Sequence, residues 1–200
     1  MLNDSSIPKH KVFLSFHHQD DCYRQQFERD FYDEFNPTFV NRSVQDGDID
    51  PNYKTDAIRR EIREKYISDS SVTIVLIGQN TWQRKHVDWE IGYSLTTSKL
   101  NTRSGLIGIL LPNYTQHYEP YFHPNCVQKR TENNSRIYTP CNIPPRLYDN
   151  IQSGYAKIYP YPTSSHELKK WIHEAFQRRG SGLNRNSRDY FANNRSGSHW

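Results

Sequence analysis

Apolar and polar positions fall in blocks of two periods, and the blocks alternate along the chain. Lys11–Phe16 (KVFLSF) is a short run rich in aromatic and branched side chains, and polar His17-His18-Gln19-Asp20-Asp21 follows. That pattern predicts a buried strand ending in a loop, with Asp20 or Asp21 placed to cap a helix. Tyr23, Phe27, Phe31 and Phe35 then recur every four residues, which predicts a helix over about 21–35 that Pro37 stops. Residues 38–44 (TFVNRSV) read as a weak strand and 45–51 as a loop. A helix over about 55–66 carries Ile58, Ile62 and Lys65 or Tyr66 at helical spacing. Ser70–Gly78 (SSVTIVLIG) and Gly105–Leu111 (GLIGILL) are apolar without alternation, as central parallel strands buried on both faces are. Between them a helix over 83–97 places Val87, Ile91 and Leu95 on one stripe. Residues 155–159 read as a last strand. A helix from Ser164 or Ser165 to about Arg178 turns Leu168, Ile172 and Ala175 or Phe176 inward.

This order predicts an α/β fold of the flavodoxin-like kind. Its open, mainly parallel five-stranded sheet has strands at about 11–16, 38–44, 71–78, 105–111 and 155–159, with helices on both faces. Such sheets bind ligands at the carboxyl ends of their strands, so the loops after residues 16, 44, 78 and 111 are the expected site. One domain over 1–179 holds a long insert at about 112–150, rich in Pro, Asn and Tyr and without a period. Residues 180–200, rich in Gly, Ser, Asn and Arg, read as a basic, disordered tail outside the core.

Charge supports that division. The chain has 26 Lys and Arg against 22 Asp and Glu, a net charge of +4. Residues 177–200 hold five Arg and one Asp, so the excess is the tail's and the rest of the chain is balanced. A basic binding face is not indicated, and nucleic acid is not an expected partner. Hydrophobic residues make up only 34%, yet aromatics reach 14%, enough large side chains for a modest core. No run approaches the roughly 18 apolar residues of a membrane span, and the first residues lack a signal peptide's apolar core. A cytoplasmic protein with no membrane partner is expected. Three cysteines, an odd number, argue against a disulfide framework.

Several chemistries are unsupported. No G-x-G-x-x-G or Walker lysine motif is present. A receiver-type phosphorylation site would need an acceptor Asp after the third strand and a Lys after the fifth, where Gly78-Gln79-Asn80 and Pro160-Tyr161-Pro162 stand. Asp46-Gly47-Asp48-Ile49-Asp50 opens like a calcium loop, but Pro51 and Ala57 occupy the positions that need Gly and Glu. His117, His123, Cys126 and Cys141 contain one short pair where a closed zinc site shows two. No metal is expected.

Thr81–Tyr93 (TWQRKHVDWEIGY) is the most informative stretch. Glu90 lies beside the buried stripe, with His86 and Ser94 one turn to either side. A carboxylate at the rim of a core near strand ends suits catalysis as well as structural pairing. Gly92 permits a close approach to the helix.

Three segments together resemble TIR-like domains. They are Val12-Phe13-Leu14-Ser15-Phe16-His17, Val75-Leu76-Ile77-Gly78, and Thr81 through Val87 to Glu90-Ile91. The nearest branch is the bacterial TIR-like proteins of Thoeris anti-phage systems, and the likeness covers about residues 9–112. It implies a TIR-like enzyme that cleaves NAD+ as a substrate, without a further cofactor, and Glu90 as its catalytic residue. It also implies an ADP-ribose-derived signal that diffuses to a separate effector protein. A non-catalytic TIR-type module working by self-association is the alternative. Asp88-Trp89-Glu90-Ile91-Gly92-Tyr93-Ser94 is also similar to a segment of nucleoside 2-deoxyribosyltransferases, which cleave an N-glycosidic bond with a Glu. The residues fit such chemistry. Cleavage builds oxocarbenium-like charge on the ribose, which a carboxylate stabilises. Phe16 and Trp82 suit stacking on a base as well as core packing. His17 and His18, with the loop after the first strand, suit the phosphates. Asp20, Asp46 and His86 complete the candidate substrate contacts, Asp46 towards a ribose.

Overall fold

The computed structural model describes residues 7–35, 67–97, 102–114, 129–130 and 136–200. The expected strand at 38–44, the helix at 55–66 and the loop bearing Asp46 lie outside these residues, as do His117, His123 and Cys126.

Four parallel strands form the main sheet: β1 (Val12–Ser15), β2 (Val72–Ile77), β3 (Gly105–Leu110) and β6 (Ala156–Tyr159), in the order β1-β2-β3-β6. β4 (Lys129–Arg130) and β5 (Arg136–Tyr138) form a separate antiparallel ladder. Val12 registers with Val72, Val72 with Gly105, and Leu106 with Ala156. The helices are α1 (Asp21–Phe35), α2 (Lys85–Ser94), α3 (Pro145–Gln152) and α4 (Ser165–Arg178). The fold is therefore the α/β, parallel-sheet architecture that the alternation of periods predicts.

The unalternating strands are apolar because both sheet faces are covered. Every residue of β2 and β3 is buried. Val72, Ile74 and Leu76 face one way, with Ile107 and Ile109, into a cluster closed by Phe27 and Phe31 of α1 and Leu168, Trp171, Ile172 and Ala175 of α4. Val75 and Ile77 face the other way, with Leu106 and Leu110, against Val87 and Ile91 of α2 and Leu147 of α3. Ser164 caps α4 by accepting a hydrogen bond from the Glu167 amide at 3.3 Å.

Three expectations need correction. The 112–150 insert holds β4, β5 and nearly all of α3. Pro145 at the first position of α3 is a helix-start signal that the general Pro richness hid. The tail is not a disordered segment outside the core. Residues 180–200 form no helix or strand, yet Phe191 is 7% exposed and the Trp200 indole donates to the Ile143 carbonyl at 2.7 Å. Side-chain hydrogen bonds hold it, and composition does not report those. Cys141 is disulfide-bonded, against the expectation from an odd count, while Cys22 is free and exposed. Among the described residues, no helix is long and apolar enough to cross a membrane.

Candidate functional site

The side chains of β1 alternate across the sheet. Val12 and Leu14 enter the α1 and α4 cluster, so Phe13 and Ser15 point towards α2. Phe13 packs on Trp89 and Ile67. Ser15, one step nearer the carboxyl end, donates its hydroxyl to Glu90 Oε2 at 2.6 Å. Glu90 is 2% exposed and Ser15 is fully buried. The carboxylate therefore stands inside the molecule at the carboxyl end of β1, held by a short charge-assisted hydrogen bond. Its own helix contributes a second restraint: the Ser94 hydroxyl donates to the Glu90 carbonyl at 2.8 Å and lies 2.7 Å from the Thr73 hydroxyl of β2.

A second buried carboxylate joins three strand ends. After β1 the chain makes a single 3-10 turn, His18–Asp20. Asp20 accepts from the Thr81 hydroxyl at 3.2 Å and from the Asn113 amide at 2.7 Å. Thr81 follows β2 and Asn113 follows β3, so one side chain ties together the loops after β1, β2 and β3. Thr81 Oγ1 also accepts from the Gly78 amide at 2.8 Å. A Cβ on Gly78 would land on the Asp20 carboxylate, so the glycine makes room for it. Burial raises the Asp20 carboxyl above its ordinary range, and the hydrogen bonds from Asn113 and Thr81 oppose that rise.

The remaining predicted site residues are distributed around this point. His17 is buried, with Nε2 3.0 Å from the Gln19 side-chain oxygen and its ring edge-on to His18 at 4.5 Å. His18 is exposed. Phe16 belongs to the α1 and α4 core cluster, with the Arg24 guanidinium 5.6 Å above its ring. Trp82 is buried in the middle of the Thr81–Gln83 turn. His86 is partly buried and edge-on to Trp89 at 5.1 Å. Phe16, His17, Asp20 and Trp82 thus all stand in the loops at the carboxyl ends of β1 and β2, while Asp46 lies outside the described residues. Among the described residues, no group of three or more His, Cys, Asp or Glu could hold a metal ion.

The sequence reading missed Asp88, Arg146 and the tail. Asp88, two residues before Glu90, is 1% exposed and pairs with fully buried Arg146 through two bonds of 2.9 and 3.2 Å. Arg146 also donates to the Asn186 side chain and to the Asp189 carbonyl. Arg146 lies in the insert, 58 residues beyond Asp88, and no local pattern links the two.

A family model described as Thoeris protein ThsB, TIR-like domain, matches residues 13–116, more than half of the 200 residues. The matched span contains Ser15, Asp20, Thr81 and Glu90. No curated protein matches the chain.

Proposed function

The chain belongs to the ThsB TIR-like family and is a TIR-type protein of Thoeris anti-phage defence; from that premise we propose that it cleaves NAD+, with Glu90 as the catalytic carboxylate. One observation carries the reading. Glu90, within the family-matched span, is a buried carboxylate at the carboxyl end of β1, fixed by the Ser15 hydroxyl at 2.6 Å.

The chemistry follows from that placement. The C1′–N bond between ribose and nicotinamide breaks, and its electron pair leaves with the nicotinamide nitrogen. Nicotinamide departs neutral, so a strong general acid is not required. Positive charge builds on the ribose. A fixed carboxylate stabilises that charge more than it stabilises the ground state, which is what accelerates the step. A water or an acceptor hydroxyl then adds at C1′ and gives up its proton. Ser15 holds Glu90 in one orientation, and preorganisation of this kind reduces the rearrangement needed at the moment of reaction. Asp20 keeps the loops after β1, β2 and β3 in register around the substrate, with His17, His18, Phe16, Trp82 and His86 as the nearby contacts. The product, an ADP-ribose derivative, diffuses to a separate effector of the defence system.

Mass spectrometry of nucleotides tests this in phage-challenged cells carrying the protein and its defence partner. Nicotinamide and an ADP-ribose derivative are expected to rise while NAD+ falls. Cells that resist phage without forming an ADP-ribose derivative would overturn the reading.

A further inference from the structure

At its amino end, α2 lacks a capping side chain of its own. Arg84 stands at its amino-terminal cap and makes no side-chain cap bond. A helix end leaves amides and carbonyls that need partners from elsewhere. Here the tail supplies a partner at each end, beside the Thr96 hydroxyl, which donates to the Gly92 carbonyl at 2.9 Å. At the amino end, Asn194 Oδ1 accepts from the Lys85 amide at 3.0 Å. Just before it, the Gln83 carbonyl accepts from the Arg195 amide at 2.8 Å. At the carboxyl end, the Asn186 amide group donates to the Gly92 carbonyl at 2.9 Å and that of Asn184 to the Leu95 carbonyl at 3.5 Å.

The middle of the helix is held as well. The Trp89 indole donates to the Phe191 carbonyl at 2.9 Å, and the Phe191 amide donates to Asp88 Oδ2 at 3.0 Å. The Tyr190 ring lies where a Cβ on Gly92 would be, and the Arg146 guanidinium stacks on that ring at 4.5 Å. Residues 184–195 thus run antiparallel to α2 over its whole length. Phe191 is their one buried residue, so polar bonds hold the segment more than apolar burial does.

We propose that residues 184–195 are an external capping strap that fixes α2 at both ends and thereby positions Glu90 against Ser15. Asn186 and Asn194 are positioning residues; neither touches the reacting atoms. The effect on turnover rests on the reading of Glu90 as the NAD+-cleaving residue. The effect on the helix does not.

The test uses the full chain carrying Asn186→Ala and Asn194→Ala together, with Asn194→Asp as the conservative control. Aspartate keeps the acceptor for the Lys85 amide and suits a helix amino terminus. Hydrogen exchange of the α2 amides is compared with that of β2 and β3, and NAD+ cleavage is measured alongside. The double variant is expected to exchange about tenfold faster in α2 and unchanged in the strands. Its kcat should fall about tenfold with KM within twofold, since an interaction lost only in the transition state lowers kcat alone. Asn194→Asp should keep wild-type exchange. Wild-type exchange in the double variant, or equal loosening by Asn194→Asp and the double variant, would overturn the strap. If the wild-type chain cleaves no NAD+, the enzymatic reading fails, and the exchange comparison alone decides the strap.

Discussion

The two sides of α2 carry buried carboxylates two residues apart, and they are held differently. Asp88 faces the tail and the insert, where Arg146 grips it with two hydrogen bonds and the Phe191 amide adds a third. Glu90 faces the end of β1, where the Ser15 hydroxyl donates to it. Both side chains are almost fully buried, so burial alone does not separate structure from chemistry. Their contacts differ in kind. A guanidinium held in a fork engages both oxygens of Asp88 and ties it to the insert. The Ser15 hydroxyl orients Glu90 at a strand end, where the proposed reaction needs a fixed carboxylate.

The largest expected stability effect breaks the Asp88 side. Arg146→Ala leaves a buried carboxylate without its cation, which costs about 3–5 kcal/mol. A thermal melt should show a fall of about 10 °C. A fall of only a degree or two would show that Asp88 is solvated or otherwise paired, and the contrast would collapse.

Ser15→Ala attacks the other side. The fold should persist while NAD+ turnover falls about tenfold, near the ~1.5 kcal/mol of a hydrogen bond to a charged group. Equal activity would mean that the hydroxyl does not orient Glu90.

Gly92→Ala puts a methyl group into the Tyr190 ring. Overpacking of about 1–3 kcal/mol is partly offset by alanine's better helix propensity, about 1 kcal/mol. The tail should become sensitive to limited proteolysis, and an unchanged digest would place Tyr190 elsewhere. Trp89→Phe removes the bond to the Phe191 carbonyl, at about 1 kcal/mol, together with part of a buried ring, and should lower the melting temperature by at least about 3 °C.

The smallest effect serves as a control remote from both sides. His10 lies 3.0 Å from His173, with its ring stacked on Phe176. Burial, with His173 and Arg179 nearby, lowers its pKa to about 4 from 6.5. The unfolded chain therefore binds the proton first, and His10 contributes stability above pH 6.5 that is lost as pH falls towards 4. His10→Gln should flatten the melting-temperature profile between pH 6.5 and 4 and leave both carboxylates of α2 undisturbed. An unchanged slope would refute the assignment.

The sequence makes one side of α2 far more legible than the other. Val87, Ile91 and Leu95 define its inner stripe by period alone, and the unbroken apolar runs of β2 and β3 follow from burial on both faces. Glu90 stands out because it borders that stripe within a family-like segment. Ser15 escaped notice as a partner because strand alternation fixes its side only once the pairing of β1 with β2 is known. Asp88 was unreadable, since its arginine is 58 residues away in an insert without a period. Gly92 did signal a close approach, but the occupant, Tyr190, lies in a segment whose composition resembles disorder. Asn, Ser and Gly lower hydrophobicity, and the bonds that Asn184, Asn186 and Asn194 make to helix ends leave no trace in a hydropathy pattern.

The central claim is that the carboxylate held by Ser15 breaks the nicotinamide–ribose bond. Nicotinamide release from NAD+ by activated wild-type protein and by Glu90→Gln tests it most directly, with a thermal melt confirming that both are folded. The substitution keeps shape and removes charge. A loss of about 10²-fold or more in turnover, comparable to removing a main electrostatic stabiliser, is the predicted result. A folded Glu90→Gln protein that releases nicotinamide at close to the wild-type rate would contradict it.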